Sequence, residues 1–437
     1  MSRLLCPFAV WTRLVTLFED RQAGLVVGLV GGSHVVNHMY FMLLPPIVPL
    51  LERDLGLSVG EVGIAIGLLG LMVTALQLPF GHLSDTKGRT LMLAISLGFG
   101  AAGAVLTATA QSYAWLLGAQ VILGIGIAGH HPAHYPLLSQ ATAESARGRA
   151  FSIHGFTGAI GFATPPAIIA AAGVLGVGWR WALGGIAIAG AAYAIFAVAT
   201  LHWRVDRAIT APSDTSLADE PWTTSRVLAL PRRAGRGLRS LLSSRGIVLI
   251  TLLWFATSMA AWGIKSQTLP LLVDGYGVAE GTGNTVVSAM LVLGALLMLG
   301  GGWLVDRTSP GLVLAAGYVA FVGVTAALAS AMLPAVVAIG LALVLAATID
   351  YSRPARAAFA DRFSDSDNIG KNFGLVTIGI SGGSAVAPPV LGVIADTWSI
   401  EASFVAMAGL GLLSLGMLAV VVRQTSTEGV ARPQPGD

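Results

Sequence analysis

Long apolar segments separated by short polar breaks cover most of this chain. A helix needs about 20 apolar residues to cross the ~30 Å hydrocarbon core of a bilayer, and only helices or closed barrels satisfy every backbone group there. Gly-rich apolar runs of this length favour helices. The pattern predicts twelve spans, at residues 24–51, 60–80, 91–110, 113–139, 150–174, 179–201, 246–273, 281–304, 311–332, 334–358, 371–395 and 400–422.

The composition agrees with a membrane protein. Hydrophobic residues make up 55% of the 437 positions and charged residues only 11%, less than half of the ~25% typical of a soluble domain. A soluble enzyme is therefore excluded. The single cysteine, Cys6, excludes a disulfide framework, and the net charge of +3 is too small to indicate a nucleic-acid partner. We expect no cofactor and a monomeric protein.

The distribution of basic residues predicts the orientation. With the N-terminus in the cytoplasm, 22 of the 25 Lys and Arg residues fall on the cytoplasmic side, Arg53 and Arg180 fall outside, and Lys265 lies within a span. The positive-inside rule then places both termini in the cytoplasm, in the inner membrane of a cell. The predicted segments are an uncleaved N-tail 1–23, a six-helix half 24–201, a linker 202–245, a second six-helix half 246–422 and a C-tail 423–437.

The two halves share an internal repeat. A shift of 221 residues superposes them without a gap from the first span to the end of the second, and it places Pro49 on Pro270 and Gly56 on Gly277. Parallel repeats that hold a substrate between them are typical of secondary transporters that work by alternating access.

The break between the second and third spans carries a motif. Its sequence, GHLSDTKGR at residues 81–89, resembles the G-x-L-x-D-x-x-G-R loop of the major facilitator superfamily. The resemblance implies an all-α membrane protein with twelve transmembrane helices in two pseudo-symmetric six-helix halves, and a transporter rather than an enzyme. The glycines predict a tight turn. As a cytoplasmic gate it would use Gly81, Asp85, Lys87, Gly88 and Arg89, with Asp306 and Arg307 in a degenerate second copy.

Ionisable residues inside the predicted spans are the candidate site residues, because a charge at mid-membrane costs about 2.5–3.5 kcal/mol even on a lenient scale. We therefore expect them to face a cavity. The resemblance implies that spans 1, 4, 7 and 10 line the transport path. The substrate and proton path would comprise His34, Asn37 and His38 in span 1, His130, His131 and His134 in span 4, His154 in span 5, Lys265 in span 7, and Asp350, Arg353 and Arg356 in span 10.

The histidines of span 4 carry a closer resemblance. They are followed by Tyr135 and Pro136 and resemble the His-Pro element of fosmidomycin-resistance-type transporters, although Ala133 occupies the position that is acidic in that pattern. This resemblance implies a fosmidomycin-like substrate. Phosphonate-like or carboxylate compounds also fit the basic and titratable residues of the predicted path, which contains few acids.

Three roles remain open for the histidines. They can carry protons at physiological pH and attract an anion when charged, they can bind a transition metal through the pairs His34/His38 and His130/His134, or they can be hydrogen-bonded packing groups, with His130 or His154 the first candidates for that role. Few membrane carboxylates and no further cysteine argue against a strong divalent site, so no metal ligand is assigned. Arg353 and Arg356 can also be read as ordinary positive-inside residues.

The sequence therefore predicts a secondary active transporter of a small polar, anionic molecule that works by alternating access and exports its substrate in exchange for protons. Its partners would be that molecule, protons and the lipid bilayer. Two alternatives stay open, namely a carrier of transition-metal ions or metal complexes and proton-coupled uptake of an organic anion.

Overall fold

The computed structural model describes residues 20–210, 245–305, 307–356 and 369–427. Most of the predicted N-tail, linker and C-tail and the gate residue Asp306 lie outside these residues. The chain divides into two compact units. The first comprises Met1–Pro221 with Val278–Val292, and the second comprises Trp222–Gly277 with Leu293–Asp437.

The first unit is built from the helices before the linker together with Val278–Val292. These helices are α1 (Arg21–Phe41), a 3-10 turn (Pro45–Ile47), α2 (Val48–Leu55), α3 (Val59–Lys87), α4 (Arg89–Ala108), α5 (Tyr113–Ala128), α6 (His130–Ala141), α7 (Glu144–Val174), α8 (Trp179–Arg204) and α9 (Arg207–Thr210). The later helices are α10 (Arg245–Pro270), a π-helical turn (Leu271–Gly275), α11 (Glu280–Val305), α12 (Pro310–Ala329), α13 (Ala335–Asp350), α14 (Ile369–Thr397) and α15 (Ile400–Thr427).

Eleven of the twelve predicted spans correspond to segments that are long and apolar enough to cross a membrane. Ten of these segments are single spans, and the eleventh is the bent pair of α1 and the following residues to Leu55. The remaining predicted span, 371–395, lies within α14, whose side chains are described only from residue 379 onward. The chain is a multi-pass helical membrane protein.

The first predicted span, 24–51, is corrected by a bend. It consists of two helical pieces at an angle of 42° rather than one straight helix. The break precedes Pro45 and Pro46, whose rings lack the N–H that a continuing helix would need.

The predicted tight turn of the gate motif is also corrected. α3 continues through Gly81 to Lys87, and only Gly88 leaves the helical conformation, with φ 96° and ψ 153°. Because that φ is positive, the position favours glycine. Asp85 stays on the helix, and exposed Lys87 ends it, where a cation interacts favourably with the helix dipole.

Arg89 fixes this region by internal hydrogen bonds. Its guanidinium is buried and its Nη1 donates to Gln140 Oε1 at 2.6 Å and to the carbonyl oxygen of Ile209 at 2.8 Å. In the degenerate copy, the Arg307 guanidinium lies 4.0 Å from the ring centroid of Trp303. Arg89 therefore connects α4 to α6 and α9, whereas Arg307 contacts a side chain near the end of α11.

The repeat is visible in the backbone of the two units. Gly56 has φ +65° and donates its N–H to the Glu52 carbonyl at 3.0 Å, and Gly277 has φ +63° and donates to the Val273 carbonyl at 3.0 Å. Both glycines stop a helical segment in the left-handed conformation that favours glycine. The predicted shift of 221 residues therefore relates two equivalent helix ends.

Helix packing shows the same repeat with a small offset. His38 Nδ1 donates to the Gly158 carbonyl of α7 at 2.9 Å, and Ser258 Oγ donates to the Ile380 carbonyl of α14 at 2.6 Å. His38 and Ser258 are 220 positions apart, so the gap-free alignment of the first span is corrected by one residue. The second unit has one extra residue before its proline, where the π-helical turn follows.

Candidate functional site

Six histidines of the first unit form one cluster, contributed by α1, α6 and α7. The closest ring centroids are 3.4 Å apart for His130 and His134, and 3.8 Å apart for His34 and His154. These four rings are buried, whereas His38 and His131 are half-buried. The structure therefore brings together all the histidines that the sequence singled out in spans 1, 4 and 5.

Local structure explains how so many rings fit together. α6 begins at His130, and the spacing of four places His130 and His134 on one face of the helix. On α7, Gly158 leaves room for the His34 ring, because a Cβ at this position would collide with that ring. Gly161 lies one turn further along and lets α7 approach the Val35 carbonyl of α1.

Hydrogen bonds engage two of the histidines. His34 Nδ1 donates to the His154 carbonyl at 2.6 Å, and His38 Nδ1 donates to the Gly158 carbonyl at 2.9 Å. The Nε2 atoms of His34 and His38 are 3.0 Å apart, and a hydrogen bond between them requires one ring with hydrogen on both nitrogens. The hydrogen-bonded packing role, first expected for His130 or His154, therefore belongs to the rings of His34 and His38.

The other three buried rings make no hydrogen bonds in the described structure. Both ring nitrogens of His130, His134 and His154 are buried and have no hydrogen-bond partner among the described residues. One nitrogen from each of these rings lies within 4.8 Å of the others, and His34, His131 and His154 form a second such group. Asn37 is also buried, and its Oδ1 has no partner in the described structure.

The second unit contains the predicted cations. Lys265 is 7% exposed, donates to the Ala261 carbonyl at 3.3 Å and lies 5.6 Å from the Trp262 ring centroid. Arg356 is 5% exposed and lies 5.2 Å from the Trp254 ring centroid.

Asp350, the one acid predicted for the substrate and proton path, pairs with one of the predicted cations. Asp350 Oδ1 lies 3.4 Å from Arg353 Nε, and α10, which carries Lys265, packs against α13, which ends at Asp350. The candidate residues of spans 7 and 10 therefore form one group in the second unit.

Sequence reasoning missed the aromatic side chains around this group. Trp262 precedes Lys265 by one helical turn, a spacing that could have indicated it. Tyr318 was not predictable in this way, because its hydroxyl meets that of Thr257 at 2.7 Å from a helix 61 positions away.

The two basic residues predicted to lie outside have acidic partners. Arg53 Nη1 is 3.0 Å from Glu280 Oε1, and Arg180 Nη1 is 3.6 Å from Asp54 Oδ2. The same Asp54 oxygen accepts a hydrogen bond from Trp179 Nε1 at 2.7 Å. These two pairs could not be predicted from a local pattern, because the partners are more than 100 positions apart.

Comparison with characterised families identifies the chain. The family model described as Major Facilitator Superfamily matches residues 30–352. The chain is 28% identical over 146 residues to the probable L-galactonate transporter of Escherichia coli, 31% over 196 residues to its inner membrane transport protein YajR, and 30% over 107 residues to its fosmidomycin resistance protein. These matches cover 33%, 44% and 24% of this chain and 32%, 41% and 26% of the relatives, so each spans less than half of the relative's length.

A solved structure shows the same fold over nearly the whole chain. A bacterial homologue of the human lysosomal transporter Spinster superposes with a TM-score of 0.75 at 14% identity, covering 96% of this chain and 100% of that chain. The chain belongs to the Major Facilitator Superfamily, a family of membrane transporters rather than enzymes.

Proposed function

We propose that the protein is a secondary transporter that moves a small organic anion across the inner membrane and couples this movement to protons. The observation that carries the proposal is the packing of α10, which carries buried Lys265, against α13, which ends at Asp350 and is followed by Arg353 and buried Arg356. Asp350 is the one carboxylate among the predicted site residues of these two spans. Charges within a membrane span are costly and mark substrate or ion pathways. A bound anion would compensate the surplus of positive charge.

The geometry suits an oxyanion. Lysine supplies up to three N–H donors and arginine a planar fork of donors that matches carboxylate and phosphonate groups. Trp254 and Trp262 give the buried cations an apolar surround, in which charge-assisted hydrogen bonds are stronger than in water.

The names of two relatives support this substrate class. L-Galactonate is a sugar carboxylate, and fosmidomycin, to which another relative confers resistance by its name, is a phosphonate. The proposed substrate shares their chemistry, a small polar body with an oxyanion group. In the proposed arrangement the halves 24–201 and 246–422 act as the two alternating repeats, joined by the linker 202–245, with both tails in the cytoplasm.

The proposed coupling uses the pair of Asp350 and Arg353. An anion that binds Arg353 competes with Asp350, and a carboxylate that loses its partner within the membrane is less costly when it takes a proton. Proton and anion would then bind together and move in the same direction. This electrostatic argument favours uptake driven by an inward proton gradient over export.

Export in exchange for protons, the direction that the sequence analysis favoured, is the competing form of the proposal. It requires proton and anion to exclude each other from the site. The name of the fosmidomycin resistance protein supports this direction, because a transporter protects a cell from a compound by moving it outward.

A carrier of transition-metal ions is the second candidate function. The observation that favours it is the presence of two groups of three histidines with ring nitrogens within 4.8 Å of one another. Neutral imidazole is a good ligand for ions such as Zn²⁺, Ni²⁺ and Cu²⁺.

The test uses the purified protein in liposomes with an imposed pH gradient. The panel contains a sugar carboxylate, a phosphonate, a neutral sugar of similar size, and Zn²⁺. We expect saturable movement of an anion, no movement of the neutral sugar, and a change of internal pH that accompanies the anion. Co-movement predicts that acid outside drives uptake, whereas exchange predicts that it drives release. Movement of Zn²⁺ alone, or of neutral sugar and anion equally, would contradict the anion proposal.

A further inference from the structure

We propose that His130, His134 and His154 form a binding site for one borderline divalent transition-metal ion, of the class of Zn²⁺, Co²⁺ or Ni²⁺. This inference does not depend on the proposed anionic substrate, whose candidate residues belong to the other unit.

The first argument is the lack of other partners. Their six ring nitrogens are buried without a hydrogen-bond partner in the described part of the chain, and each such atom costs about 1–3 kcal/mol of desolvation. The packing role would leave this cost uncompensated, whereas one ion would coordinate one nitrogen from each ring.

The second argument is geometric. His130 and His134 come from one face of α6 and His154 from α7, and a nitrogen from each lies within 4.8 Å of the others. A Zn–N bond is about 2.0–2.1 Å long, so ligand nitrogens around one ion are roughly 3.3 Å apart. Small rotations of the rings would bring the three nitrogens to this separation.

The hydrogen bonds of His34 favour the group of His130, His134 and His154 over the group of His34, His131 and His154. The second group depends on His34, whose two nitrogens already contact the His154 carbonyl and His38. At least one of those contacts would have to break before His34 could bind an ion.

The chemistry of the ligand set defines the class of ion. Both groups consist of histidines alone. They therefore do not suit Mg²⁺ or Ca²⁺, which prefer oxygen ligands. Three neutral imidazoles resemble the three-histidine zinc sites that leave a fourth position open. Since the ligands carry no negative charge, water or a small anion would occupy this position. The single cysteine and the few membrane carboxylates of the sequence argued against a metal ligand, whereas a site of three histidines needs neither.

The experiment titrates full-length protein in detergent with Co²⁺ alone, whose visible spectrum reports a tetrahedral site, and then displaces it with Zn²⁺. We expect saturation at one ion per chain. His134→Ala and His154→Ala should weaken binding by roughly 100-fold or more, since even the loss of an outer-shell partner costs 10–100-fold. The exposed His202, on α8, supplies the matched control His202→Ala, and Lys265→Ala should also bind Co²⁺ as the wild type does.

A second measurement does not depend on the folding of a variant. X-ray absorption of the wild type with bound Zn²⁺ should show three imidazole ligands at about 2.0–2.1 Å. Absence of saturable Co²⁺ binding, fewer than three imidazoles, or unchanged binding in both triad variants would overturn the proposal. Failed anion transport with intact Co²⁺ binding would overturn only the proposed function.

Discussion

The same helix contact carries different chemistry in the two units. In the first unit, Gly161 of α7 packs on a carbonyl of α1, and in the second unit Gly383 of α14 packs on a carbonyl of α10. Beside these glycines, His38 and Ser258 donate equivalent hydrogen bonds across the helix pair. The repeat thus preserves the backbone approach, while the side chains beside it differ.

The difference separates two kinds of binding chemistry. Among the described residues, the first unit collects imidazole rings whose nitrogens have no hydrogen-bond partner, and the second collects buried Lys265 and Arg356 near the pair of Asp350 and Arg353. Rings of the first kind suit coordination of a metal ion, and buried cations suit the binding of an oxyanion. A helix contact that recurs in both units therefore does not imply that the binding chemistry beside it recurs.

The largest stability effect should come from the two matched glycines. Gly161→Val and Gly383→Val each place a side chain against a backbone carbonyl, and each should lower the free energy of unfolding by about 3 kcal/mol, the upper range for overpacking. Denaturant unfolding in detergent measures this. Gly155→Val and Gly409→Val are the controls, because no atom lies within 4 Å of a Cβ there. Equal losses of stability at all four positions would show that the close helix contacts at Gly161 and Gly383 do not require glycine.

Substitutions in the gate motif should lower stability by less, and the loss should be greater for Arg89 than for Arg307 in the second copy. Arg89→Ala removes two hydrogen bonds from a buried guanidinium, and a bond to a charged group contributes about 1.5–3 kcal/mol, so we expect a loss of about 2 kcal/mol. Arg307→Ala removes an exposed contact with Trp303 that is worth about 0.5–1 kcal/mol. The same unfolding assay tests both variants. A greater loss for Arg307→Ala than for Arg89→Ala would contradict the larger stabilising role assigned to Arg89.

Exchanging the donor at position 38 should show how much its hydrogen bond to Gly158 contributes to stability. Because Ser258 reaches its carbonyl from the equivalent position, His38→Ser should keep a donor for Gly158 and be about 1 kcal/mol more stable than His38→Ala. Ser258→Ala should lose a similar amount relative to the wild type. Thermal unfolding of these variants provides the comparison. If His38→Ser and His38→Ala were equally stable, the offset of one residue between the repeats would be wrong.

The smallest effect on stability belongs to the exposed ion pair of Arg53 and Glu280. The side chains of Arg53 and Glu280 are 61% and 35% exposed, so a double-mutant cycle should give a coupling of only about 0.2–1 kcal/mol. High salt should reduce it further, because solvent screens exposed charges. The matched cycle of Asp350 with Arg353 should give a larger and less salt-dependent coupling, since these side chains are 17% and 48% exposed and Asp350 is therefore better shielded from solvent than Glu280. Equal salt dependence of the two cycles would contradict the contrast.

Much of the fold was predictable because the membrane imposes a length on each apolar segment. The repeat and the resemblance to the major facilitator superfamily then supplied the helix order. The bend before Pro45 and the continuation of α3 through Gly81 were not predictable, because a proline or glycine permits a break without requiring one.

The candidate site was predictable in membership but not in detail. Helical spacing placed His130 beside His134, and the cost of burial indicated that Lys265 mattered. The division between hydrogen-bonded His34 and the unpartnered ring of His154 depends on contacts between helices 120 positions apart. Such contacts follow from packing, which a single sequence does not encode as a local pattern.

The most direct test of the account is anion uptake into liposomes by Lys265→Ala, with Arg207→Ala as the control for loss of an exposed cation. A charge-assisted hydrogen bond contributes about 1.5–3 kcal/mol, which corresponds to roughly a 10- to 100-fold loss. The account predicts a loss of that size for Lys265→Ala, with both folding and Co²⁺ binding retained, and unchanged uptake for Arg207→Ala. Wild-type uptake by Lys265→Ala would contradict the assignment of the anion to the cations of the second unit.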